Sequence, residues 1–272
     1  MFESAEKFKV ATIQMVSGPK VDANLKVAEG LIQEAAQTGA KVLALPEYFP
    51  IMGMVDTDKV SVREQLGTGP IQQFLAEISA RLKLWIVAGT IPLESEDAHR
   101  VRNTSLVFTP EGKPVARYDK IHLFGFHRGQ DQYQESLTIE RGDEPVALDT
   151  PFGRWALSVC YDLRFPELYR GLQQPDLIFV PAAFTQTTGQ AHWEILLRAR
   201  AIENLAYVIA SGQGGVHPSG RETFGSSMII DPWGAILARL DKGPGFVVAE
   251  IDPAYLTSVR KSLPALDHRI LT

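Results

Sequence analysis

The chain has 272 residues, of which 45% are hydrophobic and 22% charged, and this composition is ordinary for a globular enzyme. Its 27 basic and 32 acidic residues give a formal net charge of −5, without the runs of like charge that mark proteins binding nucleic acid or anionic membranes. We therefore expect no nucleic-acid or membrane partner and favour a small-molecule ligand.

Strand patterns and helix patterns alternate along the chain. In chain order the predicted elements are strand 9–16, helix 24–37, strand 42–45, helix 70–82, strand 84–91, a hairpin of 101–109 with 114–119, strand 155–159, helix 166–172, strand 176–180, helix 191–205, and strands 206–211, 228–230, 235–240 and 246–251. Residues 121–144 are polar and without period, which predicts a long loop, and such loops are usually functional.

This order of elements predicts a mixed α/β sandwich rather than a purely parallel sheet. LALPEYF (43–49) and IFVPAAF (178–184) share a strand, a proline and a phenylalanine, a weak echo that hints at two related halves. No linker or low-complexity segment divides the chain, so we predict a single domain over residues 1–272. The short tail, about 253–272, is expected to pack at a subunit interface.

The cysteine content and the absence of apolar segments bear on the cellular compartment. A single cysteine cannot form an intramolecular disulfide bond, and secreted proteins of this size usually carry some. The first 15 residues do not resemble a signal peptide, and no stretch reaches the roughly 18 uninterrupted apolar residues of a membrane span. A cytoplasmic location is predicted.

Three residues of complementary chemistry each follow a predicted strand. Cys160 ends a buried-type strand just before a polar cluster, Glu47 follows a buried run and Pro46, and Lys120 closes a hairpin strand. Taken singly, a lone cysteine is usually an inert core residue, and glutamate and lysine are usually solvated. However, ligands in α/β proteins bind beyond the carboxyl ends of strands, so a thiol, a carboxylate and an ammonium placed there favour nucleophilic catalysis.

Other kinds of site find little support in the sequence. There is no G-x-S-x-G pattern for a serine hydrolase, and the six histidines form no H-E-x-x-H, so no metal site is predicted. SGQGGVHPSG (211–220) matches no phosphate-binding loop and is expected to be a flexible loop. His192 and Trp193, at the start of a predicted helix, are expected to pack or cap.

At these residues the sequence resembles a known family. LALPEYF (43–49), RYDKIHLF (117–124), YQES (133–136) and SVCYDLRFPELYR (158–170) resemble, in that order, the signature blocks of the nitrilase superfamily. The likeness extends from the first strand to DPWG (231–234) and the strands beyond. It implies an α-β-β-α sandwich that dimerises, or assembles further, through one helical face into a larger sandwich.

The resemblance also implies roles for individual residues. Glu47 would be the general base, Lys120 the cation that stabilises an oxyanion, Cys160 the nucleophile and Glu135, in YQES, a supporting carboxylate. The backbone N–H of Tyr161 would help to hold the oxyanion, and no cofactor would be needed. Expected substrate contacts are Arg164, Phe184 and Thr188, with Arg164 as the clamp for a substrate carboxylate. The alternative for Arg164 is a structural ion pair with Asp162 or Glu167.

Within the superfamily, residues 184–204 and MIIDPWG (228–234) look most like the Nit branch. The resemblance implies an amidase acting on a linear carboxamide through a thioester, with deaminated glutathione favoured over the α-ketoglutaramate of ω-amidases. The chain departs from the branch pattern at Gly125 and Ser226. A nitrilase, another amidase of the family and a non-catalytic binding module that keeps the fold are the alternatives.

Overall fold

A computed structural model describes residues 6–128 and 131–270. Its strands are β1 Phe8–Gln14, β2 Ala40–Ala44, β3 Trp85–Val87, β4 Ile91–Glu94, β5 Val101–Phe108, β6 Pro114–Asp119, β7 Gly125–Arg128, β8 Asp131–Gln134, β9 Ala147–Thr150, β10 Gly153–Leu157, β11 Leu177–Ala182, β12 Tyr207–Gly212, β13 Gly214–Val216, β14 Glu222–Phe224, β15 Ser227–Ile230, β16 Ile236–Leu240 and β17 Gly245–Ile251. Its α-helices are α1 Val21–Gln37, α2 Asp58–Ser61, α3 Pro70–Leu82, α4 Pro166–Gly171, α5 Gln186–Asn204 and α6 Pro253–Ser262.

Two large mixed sheets organise these elements. The first runs β17-β1-β2-β3-β5-β4, with β6 paired to β5, and the second runs β16-β15-β12-β11-β10-β9. In each sheet the central strands are parallel, β1 to β2 to β3 and β10 to β11 to β12, and the outer strands are antiparallel. Parallel central strands bring their carboxyl ends to one edge, so each sheet presents its strand exits on a common side.

The core is built in layers. One buried cluster joins β1 and β2 to α1 and α3, through residues such as Ile13, Leu43, Ile32 and Leu75. The other cluster fills the space between the sheets and continues to α5, where Trp193 and Leu197 are buried. Helices on the outside of two facing sheets make an α-β-β-α sandwich, which confirms the predicted fold class.

Most of the predicted elements are present, with ends shifted by a few residues. The main exception is the strand predicted over 84–91, which the structure divides into β3 and β4. The chain bends between them at Gly89, whose φ of +56° is a left-handed value that ends an extended strand. Helix α5 begins at Gln186, so His192 and Trp193 are its seventh and eighth residues rather than its start.

Two segments differ from their sequence-based description, and a third forms a helix that the sequence analysis did not predict. Residues 121–144 were predicted to be an unstructured loop, but β7 pairs with β8 there and a 3-10 helix covers Glu135–Leu137. Residues 211–220 are not a flexible loop, because β13 pairs with β14 and His217 is buried. In the tail, α6 packs on its own chain through Leu256 and Val259, so the predicted interface role there remains untested.

Candidate active site

Glu47 follows β2 at the edge where the parallel strands end. The chain there is tightly constrained, because a Cβ atom on Gly89 would lie only 2.1 Å from the carbonyl oxygen of Pro46. Tyr48, the next residue, has a φ of +55°, and its backbone N–H donates to Thr90 Oγ1 at 2.9 Å. A left-handed tyrosine is costly, and such strain usually persists only where surrounding contacts enforce it, often at functional sites. These contacts fix the direction of the Glu47 side chain.

The Glu47 carboxylate is buried and bound at both oxygens. Oε1 accepts from Lys120 Nζ at 2.9 Å and from Asn103 Nδ2 at 2.9 Å, and Oε2 accepts from the backbone N–H of Ala183 at 2.8 Å. Lys120 and Asn103 come from the first sheet, whereas Ala183 follows β11 of the second. Glu47 therefore links the two sheets at their strand exits.

Lys120 is fully buried and pairs with two carboxylates. Its Nζ lies 2.9 Å from Glu47 Oε1 and 2.8 and 3.0 Å from the two oxygens of Glu135. Burial alone would lower the pKa of Lys120, but the charges of Glu135 and Glu47 together raise it, so the ammonium stays protonated. This cation is fixed at the centre of the cluster.

Glu135 holds Lys120 from the opposite side. Its Oε1 accepts from the Tyr48 hydroxyl at 3.0 Å, and its Oε2 accepts from the backbone N–H of Phe124 at 2.7 Å. Burial would raise the pKa of Glu135, yet the ammonium of Lys120 holds it below its ordinary value. Glu135 is therefore ionised, and the ammonium of Lys120 is bound by carboxylates on two sides.

Cys160 begins a 3-10 helix, Cys160–Arg164, directly after the short extended segment that follows β10. It has a φ of +51°, and its side chain is buried within the pocket lining. Burial and the neighbouring Glu47 carboxylate raise the pKa of the Cys160 thiol well above its usual value, although Lys120 opposes them. The free thiol is therefore protonated at neutral pH, and its activation needs a base.

Asp162 locks the turn that carries Cys160. Its buried carboxylate accepts from the backbone N–H of Val159 at 2.8 Å, from the Tyr118 hydroxyl at 2.6 Å and from the backbone N–H of His122 at 3.0 Å; His122 Nδ1 lies 2.7 Å away. Tyr118 and His122 flank Lys120 in sequence. One carboxylate thus ties the thiol-bearing turn to the lysine-bearing strand.

A narrow pocket opens in front of the thiol. Its lining contains the candidate residues Glu47, Glu135, Cys160, Tyr161, Arg164, Phe184 and Thr188, together with Phe124, Ala183, Thr185 and Arg221. Lys120 lies beneath this lining. The backbone N–H of Tyr161 has no hydrogen-bond acceptor among the described residues, so it is free to donate to a ligand in the pocket.

Arg164 is held by aromatic rings rather than by acids. Its guanidinium carbon lies 5.7 Å from the Tyr161 ring centre and 5.6 Å from that of Phe184, and Nη2 is 3.2 Å from His192 Nδ1. The ion pair with Asp162 or Glu167 considered from the sequence is not formed. A guanidinium stacked in this way keeps donors for a carboxylate ligand.

Phe184 and Thr188 belong to the pocket lining, and the Phe184 ring contacts Arg164. Phe184 follows β11 and packs against Trp193, with ring centres 4.7 Å apart. Thr188 lies in the first turn of α5, where its Oγ1 is 2.8 Å from that of the capping residue Thr185. Both side chains are buried and both line the pocket, and their contact with a substrate stays a prediction.

The sequence did not reveal several residues that support this site. Asn103 lies within β5, Asp162 was seen only as part of a polar cluster, and Arg221 directly follows residues 211–220, the segment predicted to be a flexible loop. Only Asp162 carried a local signal, its position two residues after Cys160. Gln213, whose Nε2 donates to the carbonyl of Glu47 at 3.1 Å, carried none.

The structure offers little basis for a metal site or a membrane span. In residues 6–128 and 131–270, no group of three histidine, cysteine or acidic side chains is placed to hold a metal ion. No helix of that same part of the chain is long and apolar enough to cross a membrane.

The layered sheets and the buried acid, cation and thiol after their strands form an arrangement suited to hydrolysis by covalent catalysis. The sequence pattern of the Carbon-nitrogen hydrolase family matches residues 9–261. A Synechocystis protein named deaminated glutathione amidase is 44% identical over 97% of this chain and 98% of its own. The human protein of that name is 38% identical over 98% of this chain and 83% of its own.

A solved structure agrees with these sequence matches. Saccharomyces cerevisiae Nit3, described as a member of branch 10 of the nitrilase superfamily, superposes with a TM-score of 0.87 at 30% identity over 97% of each chain. The chain belongs to the carbon–nitrogen hydrolase family, as the resemblance at the motif residues predicted. It is a hydrolase of carbon–nitrogen bonds, which also confirms the predicted enzyme class.

Proposed function

We propose that this enzyme hydrolyses the amide bond of deaminated glutathione through a thioester on Cys160. The observation that supports the chemistry best is that the Cys160 thiol shares a pocket with the Glu47 carboxylate, whose contacts with Lys120, Asn103 and Ala183 fix its position. The relatives at 38–44% identity that carry the name deaminated glutathione amidase support the choice of substrate. Glu47, Lys120, Glu135 and Cys160 take the catalytic roles.

In the first half of the reaction, Glu47 removes the thiol proton while Sγ attacks the amide carbon. The resulting oxyanion accepts from the backbone N–H of Tyr161, and a donor of this kind contributes about 3–4 kcal/mol of transition-state stabilisation. The contacts of Lys120 are all to carboxylates, so it acts on the oxyanion mainly through its charge. Glu47 then gives its proton to the leaving nitrogen as the C–N bond breaks.

In the second half, water replaces the amine. Glu47 takes a proton from the water molecule as its oxygen attacks the thioester carbon, and the second tetrahedral intermediate uses the same donors. The C–S bond breaks, the thiol is protonated again and the carboxylic acid leaves. Glu135 keeps Lys120 in place throughout, because it bonds that ammonium with both oxygens.

The position of Arg164 is consistent with a substrate whose acyl group carries a carboxylate. It lines the same pocket as Cys160, and no acidic side chain among the described residues pairs with it. A guanidinium can bind a carboxylate through two parallel hydrogen bonds. An α-keto acid amide fits this requirement, and both deaminated glutathione and α-ketoglutaramate are such amides. An ω-amidase acting on α-ketoglutaramate is therefore the second candidate.

The substrate assignment is tested by comparing kcat/KM for deaminated glutathione, α-ketoglutaramate, a neutral aliphatic amide and a nitrile. Release of cysteinylglycine is measured for the first substrate and release of ammonia for the others. We expect deaminated glutathione to be the best substrate, by about tenfold or more, a preference worth about 1.4 kcal/mol. Faster turnover of α-ketoglutaramate would establish the ω-amidase, and efficient turnover of the nitrile a nitrilase.

The mechanism is tested with Cys160→Ala, which removes only a sulfur atom at a strand exit. We expect no measurable turnover together with an unchanged circular dichroism spectrum. Cys160→Ser should also be nearly inactive, because a carboxylate is a poor base for a hydroxyl group. Near-wild-type activity in the purified alanine variant would refute the thioester mechanism and leave the binding-module alternative.

A further inference from the structure

A second cavity, which we name the outer groove, adjoins the active-site pocket. Its lining includes Tyr48, Asp56, Lys59, Tyr133 and Arg221. Arg221 also lines the pocket that contains Cys160, so the two cavities meet at its side chain. Tyr48 lies between the outer groove and the active-site pocket. Its hydroxyl donates to Glu135 of the pocket, and its ring faces Lys59 of the groove.

Lys59, on α2, brings a cation to the outer groove without a carboxylate partner. Its Nζ donates to Thr138 Oγ1 at 3.0 Å and lies 5.5 Å from the centre of the Tyr48 ring. No acidic side chain of the described residues lies within ion-pair distance of it, although Asp56 and Glu135 act on it from further away. Burial lowers the pKa of Lys59, as expected for an ammonium group that has no carboxylate at ion-pair distance.

Arg221 brings a second unpaired cation. Its guanidinium carbon lies 5.1 Å from the centre of the Tyr133 ring, and Nη2 makes a long contact of 3.4 Å with the carbonyl of Ala183. Its Nε is buried without a hydrogen-bond partner. A buried donor without an acceptor is costly, and a charged donor costs more than a neutral one.

Two partly buried cations that share a cavity repel each other, and each is also costly to bury without a counter-charge. A bound anion reduces both the repulsion and the cost of burial. Asp56 also lines the outer groove, but it is exposed and does not pair with Lys59. We infer that the outer groove is a subsite for a carboxylate on the leaving group of the substrate, held between Lys59 and Arg221. This inference rests on the proposed function, since it divides that substrate between two cavities.

The division explains how deaminated glutathione and α-ketoglutaramate are distinguished. Both share the α-keto acid acyl group, which Arg164 would hold beside Cys160. Deaminated glutathione loses cysteinylglycine, whose terminal carboxylate extends beyond the scissile bond, whereas α-ketoglutaramate loses only ammonia. Only the first substrate reaches the outer groove, so Lys59 and Arg221 contribute binding energy to that substrate alone.

The test uses Lys59→Met in the full-length protein, with deaminated glutathione, its C-terminal carboxamide and α-ketoglutaramate as substrates. We expect kcat/KM for deaminated glutathione to fall about tenfold, mostly through KM, because a charge-assisted contact is lost. Turnover of α-ketoglutaramate should change less than about twofold. Wild type should prefer the free acid to the carboxamide, and the variant should lose that preference.

Two control variants separate a local contact from a general effect of charge. Lys26→Met removes the same charge from the exposed surface of α1 and should leave the preference for the free acid intact. Asp56→Asn removes the acid of the outer groove and should lower KM for deaminated glutathione. Lys59→Arg keeps the charge and should retain most of the activity that Lys59→Met loses.

The outcomes distinguish this inference from the proposed function. If wild type hydrolyses neither deaminated glutathione nor α-ketoglutaramate, the proposed function is wrong. Suppose that wild type hydrolyses both substrates. The inference is overturned if Lys59→Met lowers kcat/KM equally for deaminated glutathione and α-ketoglutaramate, or if the variant keeps its preference for the free acid over the carboxamide. In either case the outer groove does not bind the leaving group.

Discussion

At the scale of single residues, the protonation state of each ionisable group in the site is set by burial and by the charges beside it. The Cys160 thiol is protonated because burial and Glu47 disfavour its thiolate, while the ammonium of Lys120 is retained because two carboxylates bind it. A carboxylate next to a protonated thiol is suited to remove its proton only as the attack proceeds. In the proposed mechanism the nucleophile is therefore a thiol until the attack on the substrate begins.

This placement predicts the pH dependence of Cys160 alkylation. The negative charge of Glu47 raises the pKa of the thiol, so Glu47→Gln should lower that pKa and move the midpoint of iodoacetamide labelling to lower pH. The same variant should lose catalytic turnover, because the base is gone. The measurement is the labelling rate from pH 7 to 10, followed by mass spectrometry.

The matched control for the alkylation experiment is Glu77→Gln, which removes a carboxylate from the exposed side of α3. Its labelling midpoint should coincide with that of wild type. A midpoint that stays unchanged or rises in Glu47→Gln would contradict the arrangement, because the carboxylate would then not act on the thiol.

At the scale of elements, the sequence predicted regular segments well and irregular ones poorly. Helix α3 begins at Pro70, as predicted. The prediction was possible because proline is favoured in the first turn of a helix and because the apolar residues of α3 recur regularly. The hairpin of β7 and β8 was missed, since its residues show no alternation of apolar and polar side chains. The bend at Gly89 depends on a contact with Pro46, more than forty residues away, which no local pattern records.

The residues of the candidate site divide in the same way, into those on regular elements and those on irregular segments. Glu47, Lys120 and Cys160 were recognisable as candidates because each follows a strand, and the strands before Glu47 and Cys160 belong to the parallel centres of the two sheets. Glu135 lies on a short 3-10 helix and was identified only through its motif. The cations Lys59 and Arg221 lie on segments with no distinctive pattern, and their meeting in one groove depends on the tertiary fold.

The bend at Gly89 gives a prediction for stability. In Gly89→Ala the new Cβ would collide with the carbonyl of Pro46, and the residue would also keep a left-handed φ. We expect the free energy of unfolding to fall by roughly 3 kcal/mol or more, from the sum of overpacking and backbone strain. Chemical denaturation measures this loss, and kcat should fall as well, because Pro46 precedes Glu47.

Gly39 supplies the control for the Gly89 substitution. It follows α1 with a φ of +85°, and a Cβ atom there would meet nothing within 4 Å. Gly39→Ala should therefore cost only the backbone term, about 1 kcal/mol. If the two alanine variants were equally stable, the close approach of Gly89 to Pro46 would have no energetic importance.

At the scale of the whole molecule, three exposed apolar side chains lie together on the outer face formed by α5 and the turn after β15. Ile195 and Ile202 are 71% and 46% exposed, and they lie seven residues apart on α5, which places them on the same side of the helix. Trp233, 60% exposed, precedes Gly234, which adjoins Ile202. Apolar groups gathered in this way commonly mark a protein interface. We propose this face as the dimer interface that the resemblance implied.

A charged substitution on this face tests the assembly. Ile195→Asp should shift the protein from twice the chain mass toward the mass of one chain in light scattering at micromolar concentration, because it buries a carboxylate in an apolar contact. Val27→Asp, on the opposite helical layer in α1, should leave the assembly unchanged. Dissociation by Val27→Asp instead would assign the interface to α1.

The position of Glu47 between the two sheets affects how this enzyme can lose its activity. Removing Lys120 would leave two carboxylates buried without their cation, and breaking a buried pair costs roughly 3–5 kcal/mol, a large share of the stability of a typical domain. Cys160 makes no comparable contribution to the connection between the sheets. An inactive descendant that still folds, and serves as a scaffold or a sensor, would therefore arise most easily by changing the thiol while the charged cluster is kept as a structural element.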